Sequence, residues 1–140
     1  MLLIRISMAV LLAGSLWSCQ TDTTSPDSDS ADFGAFYQRF LADSLYQMRH
    51  ITFPLEGLPP HAATEELSGD FRWQPGDWVV HRVLDQQQTG FESALIRLDD
   101  DLIVERITHK REPYAMERRF AKMGQEWYLI YYAGLNEVAQ

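Results

Sequence analysis

Asp32-Phe33-Gly34-Ala35-Phe36-Tyr37-Gln38-Arg39-Phe40-Leu41 is the stretch on which the fold turns. Phe33, Phe36, Tyr37, Phe40 and Leu41 recur at the spacing that lines one face of an α-helix. Asp32 is of a type that caps helix starts, so the pattern predicts a helix opening there. Asp43-Ser44 can begin a second short turn through Leu45, Tyr46 and Met48, and Pro54 with Gly57-Leu58-Pro59-Pro60 prevents helix across the middle. His61 to Leu67 reads as a short surface helix.

Beyond Gly69 the periodicity changes to that of strands. Phe71 and Trp73 alternate before the turn Gln74-Pro75-Gly76-Asp77, and Trp78 to Val83 is rich in β-formers. Phe91 to Leu98 and Leu102 to Lys110 flank the acidic turn Asp99-Asp100-Asp101, and Tyr114 to Lys122 and Trp127 to Tyr132 flank Met123-Gly124-Gln125-Glu126. Helix followed by four to six antiparallel strands is an α+β domain, its helix packed on a strongly curved sheet. Trp127 to Tyr132 is apolar or aromatic at every position, so both faces of that strand need cover. One face can meet the helix; the other calls for a tail, a loop or a symmetric partner, which makes a homodimer through the sheet one expectation.

The chain has 140 residues, room for one such domain. Its 12 basic and 20 acidic residues give a net charge of −8, against binding nucleic acid or an anionic bilayer surface. The single cysteine, Cys19, can form neither an internal disulfide nor a cysteine-based metal site alone. It closes a segment with Arg5 as its only charge and an apolar run too short for a spanning helix, which is the arithmetic of a signal peptide. Leu16-Trp17-Ser18-Cys19 resembles the bacterial lipoprotein signal, with Trp17 bulkier than usual. The resemblance implies cleavage before Cys19 and lipid attachment to its thiol, several acyl chains being a stable anchor. Gln20 to Asp32 is Ser-, Thr- and Asp-rich with no large apolar side chain, a flexible tether. The organisation is thus a signal over 1–18, a lipidated N-terminus and tether over 19–31, and one domain over 32–140. Gln20 lacks the acidic inner-membrane retention signal known in enterobacteria, so the outer membrane of the cell envelope is the expected location.

The motif Phe33-x-x-Phe36-Tyr37-x-x-Phe40-x-x-Asp43-x-x-Tyr46-Gln47-x-Arg49-x-x-x-Phe53-Pro54-Leu55 resembles a domain-of-unknown-function family of lipoproteins from Bacteroides-like bacteria. Phe120-x-x-x-Gly124-x-x-Trp127-x-Leu129 resembles the closing hairpin of the nuclear-transport-factor-2-like, or cystatin-like, cone. The resemblance implies a curved antiparallel sheet wrapped around an N-terminal helix, often with a cavity in the concave face and often dimeric. It implies no activity, because this fold hosts isomerases, dehydratases, cyclases and pure binding modules.

No phosphate loop, dinucleotide fingerprint, zinc helix, nucleophile elbow or calcium loop is present in the sequence. His50, His61, His81 and His109 lack metal-ligand spacing, and no metal or cofactor is expected. Of Arg118 and Arg119, adjacent in a strand, one faces any given site and the other solvent. An enzyme of this fold would need an acid or base in the cavity; the candidates are His81, Tyr46 and Tyr131 in that order, each with core packing as the plainer role. Gln47 and Arg49 either fix the helix–strand junction or line the pocket rim. The reading favoured is a lipid-anchored, non-catalytic module for a small apolar ligand or an envelope protein. The alternative is an acid-base enzyme of isomerase, dehydratase or cyclase type.

Overall fold

A computed structural model describes residues 26–63 and 69–138, with side chains from Asp32 onward. Cys19, the signal, the first part of the tether and most of the expected 61–67 helix lie outside the described residues. The first helix, α1, spans Pro26–Ala42 and so opens six residues before Asp32. Proline suits a first helical turn, where its missing N–H is not needed. Asp32 is not a cap: its carboxylate accepts the Trp127 indole N–H at 3.2 Å and pairs with Lys122 at 3.2 Å, tying α1 to the closing hairpin.

The aromatic stripe lies as the spacing predicts. Phe33, Phe36, Phe40 and Leu41 are buried, and Phe120 from the sheet inserts among the rings of Phe33, Phe36, Tyr37 and Phe40 at centroid distances of 5.6, 5.8, 6.0 and 5.5 Å. Burying such rings is the largest apolar contribution to the core. A second helix, α2 (Ser44–Arg49), is capped by Asp43, which accepts the Tyr46 N–H at 2.9 Å. That bond holds the Asp43 carboxyl below its ordinary range.

Six strands follow: β1 (Ile51–Leu58), β2 (Arg72–Trp73), β3 (Phe91–Asp99), β4 (Leu102–His109), β5 (Tyr114–Met123) and β6 (Glu126–Glu137). They form one curved sheet in the order β2-β1-β6-β5-β4-β3. The β3–β4 and β5–β6 hairpins match the sequence pattern, the second turning at Gly124 with φ 68°, a conformation that favours glycine. Two expectations are corrected. The sheet is not wholly antiparallel, because α2 delivers β1 beside the middle of β6, with the Leu129 N–H donating to the His50 carbonyl at 2.8 Å, and β1 then runs parallel to β6. Trp78 to Val83 is not a strand but an irregular strap, with Val79 and Val83 exposed.

Cover for the second face of β6 comes from the chain itself. His50 stacks on Tyr128 at 5.3 Å and the Arg119 guanidinium lies 4.1 Å from the Tyr131 ring centre. Tyr132, which shares the concave face with Arg118 beyond the reach of α1, is surrounded there by Trp73, Trp78 and His81 at 5.4, 5.4 and 4.5 Å. Gly57 stands opposite Tyr132 in the parallel ladder, where an added methyl group would strike the Tyr132 carbonyl that accepts the Trp73 indole N–H at 3.0 Å.

Candidate functional site

Side chains alternate across a strand, so the register decides which polar groups share the concave face. Leu95 stands opposite Glu105, Glu105 opposite Arg118 and Arg118 opposite Tyr132, one row across β3, β4, β5 and β6. Glu105 and Arg118 are 1% and 4% exposed, which makes theirs a charge pair inside the cone. The Arg118 Nη1 donates to Glu105 Oε2 at 3.0 Å. The other carboxylate oxygen accepts two hydroxyl protons, from Tyr37 on α1 and Ser93 on β3, each at 2.6 Å. Burial, then the neighbouring Glu105 charge and this bond, push the Tyr37 hydroxyl well above the ordinary tyrosine range, so it remains a donor.

These groups floor a cleft of about 510 Å³ between α1, the strap and strands β3 to β5. Its walls are Leu41 from α1, Arg82, Val83 and Leu84 from the strap, and Leu95 from β3. The strap backbone is fastened at His81 by Gln47, and Arg82 Nη1 donates to the Ala42 carbonyl at the end of α1 at 3.3 Å. Gln47 is fully buried; its Nε2 donates to the carbonyls of Phe40 at 2.7 Å and His81 at 2.9 Å. Its Oε1 accepts from the Trp78 indole at 3.1 Å and the His81 backbone N–H at 2.8 Å. All four hydrogen-bonding positions of the amide are thereby used. Among the described residues, these bonds at His81 are the only ones made by the strap backbone between Trp78 and Leu84.

A second cavity of about 310 Å³ lies beside Tyr132, lined by Trp73, Trp78, His81 and Met116 among others. His81 binds a proton only below about pH 3, held down by burial and then by the Arg118 charge. It is therefore a neutral imidazole near pH 7.

The expected site residues are dispersed. His81 is interior, packed between Trp78 and Tyr132. Tyr46 lies at the opposite corner, stacked on His50 at 3.8 Å beneath the Arg39 guanidinium, and Tyr131 sits on the convex face under Arg119; neither lines the cleft. Gln47 is not at a rim but in the interior, and Arg49 is exposed at the end of α2, lining neither cavity. Both departures have one cause. α2 turns its Gln47 face inward to the strap, which leaves Arg49 on the solvent side. The arginine pair divides as alternation requires, Arg118 inward and Arg119 outward. Glu105, Ser93 and Tyr37 were not read as site residues. The signal for Glu105 was Ile103-x-Glu105-x-Ile107, a charge in step with two core positions.

Among the described residues no helix is long and apolar enough to cross a membrane, and no group of three or more His, Cys, Asp or Glu could hold a metal ion.

Solved structures resemble this one. A cystatin-like protein from Bacteroides caccae superposes with a TM-score of 0.52 at 16% identity, over 72% of this chain and 74% of that one. An NTF2-like protein from Bacteroides fragilis superposes with a TM-score of 0.52 at 14% identity, over 73% of this chain; the match spans 46% of that longer chain. No family model matches the sequence. No curated protein matches it. The fold is the cystatin-like, NTF2-like one, as the motifs implied.

Proposed function

We propose that the protein is a lipid-anchored component of the cell envelope, held through Cys19, whose concave cleft binds a small ligand without transforming it. The observation that supports binding over turnover is the state of Glu105. It is the only carboxylate lining the cleft among the described residues, and three donors already occupy it, so it has little capacity to act as a base. Burial and then the Arg118 charge push His81 down to about 3, which makes it a weak base at neutral pH. Both arguments weigh against the acid-base alternative. The cleft suits a ligand in other respects: it is concave, partly apolar and carries a few converging polar groups.

Two measurements test the reading. Cys19→Ser moves the protein from the membrane fraction to the soluble one on detergent-free fractionation; unchanged retention removes the anchor. Native mass spectrometry of protein purified from its own envelope gives a bound small molecule that Leu95→Trp, which fills the cleft, expels. A mass equal to the lipidated chain alone counts against ligand binding.

A further inference from the structure

Two buried side-chain polar atoms have no hydrogen-bond partner among the described residues: Arg118 Nε and His81 Nδ1. They flank one ring. Arg118 is the direct cross-strand neighbour of Tyr132, and the His81 ring lies 4.5 Å from it. A buried donor without a partner is costly, and protein interiors rarely leave one so. Of the two, Arg118 lines the cleft whereas His81 lines the second cavity, so it is Arg118 that marks where a polar group of a ligand would be held.

The chemistry of that group follows from the guanidinium. Arg118 hydrogen-bonds through Nη1 alone, to Glu105, so its Nε–Nη2 edge makes no hydrogen bond among the described residues. That edge is the one that holds a carboxylate by two parallel N–H···O bonds. The charged side chains lining the cleft are Arg82 and Arg118 against Glu105, one positive charge in excess. Leu41, Val83, Leu84 and Leu95 offer the rest of the ligand an apolar wall.

We propose that the cleft takes a small monocarboxylate with an apolar body, its carboxylate held by the Nε–Nη2 edge of Arg118 and its body against Leu41, Leu84 and Leu95. The proposal rests on the ligand-binding reading above and names the class of ligand.

Three probes of one shape and different charge test it by calorimetric titration of the full chain: phenylacetate, phenylacetamide and 2-phenylethylamine. The wild-type protein binds the acid at least tenfold more tightly than the amide, and does not bind the amine. Arg118→Lys keeps a charge for Glu105 but lacks the fork; it loses most of the preference for the acid while its melting temperature shows that the fold persists. The wild-type ranking needs no variant and decides the matter even if Arg118→Lys fails to fold. Equal binding of acid and amide, tighter binding of the amine, or an undiminished preference in folded Arg118→Lys overturns the carboxylate assignment and leaves the cleft a binding site. No binding of any probe overturns the assignment too, while the native-mass measurement still judges ligand binding by itself.

Discussion

Glu105 and Arg118 are opposite charges taken out of water, a pair whose desolvation is offset only by complete hydrogen bonding. Glu105 has that through Tyr37, Ser93 and Arg118; Arg118 has it in part. Removing either partner alone strands the other. Glu105→Leu or Arg118→Met is expected to lower unfolding free energy by about 3–5 kcal/mol, and the double variant to recover much of that loss, read from denaturant midpoints. Singles that cost nothing would mean that water reaches the pair. His81 gives a pH dependence. Its folded form binds a proton only below about pH 3, whereas the unfolded imidazole does so below its ordinary value of 6.5. Between those values the unfolded state holds the extra proton, so stability falls as pH drops through the window, at a limiting slope of about 1.4 kcal/mol per pH unit from this group. His81→Phe should flatten that part of the profile; an unchanged slope would assign it to other groups. At this scale the sequence was half legible. Alternation showed that one of Arg118 and Arg119 must face inward, but which one depends on a register that only the assembled sheet supplies.

Among the elements, the helical stripe and the two long hairpins could be read from periodicity, because burial against one partner leaves its period in the residues. The strap and β1 could not. Trp78 to Val83 has strand composition, yet among the described residues its only backbone bonds are to an amide 34 positions earlier in sequence at His81. No local pattern announces such a contact. Likewise nothing in Ile51 to Leu58 tells a parallel neighbour from an antiparallel one. Since Gln47 alone fastens the strap backbone among the described residues, Gln47→Leu should cost about 1–3 kcal/mol and speed hydrogen exchange at the His81 amide well above that of amides in β5. Exchange at His81 that keeps its wild-type rate would show that packing of Trp78, not the amide, holds the strap.

At the scale of the molecule an aromatic helix is wrapped by a curved sheet, and among the described residues one carboxylate, Glu105, is buried within. Its fold was legible because helix period, turn residues and closing hairpin agree with one another. The cleft was less so: its floor joins Tyr37, Ser93, Glu105 and Arg118 from four elements, and the residues that looked chemical by type, Tyr46 and Tyr131, lie elsewhere. The membrane anchor and the cleft are linked only by proposal, Cys19 lying before the described residues. The most direct test of the account is a crystal structure of the protein purified from its own envelope. The account predicts density for a small molecule in the cleft, in contact with Arg118 and bounded by Leu41 and Leu95. An unliganded cleft in protein handled this way, or a ligand seated against Tyr46 or Tyr131 instead, would contradict it.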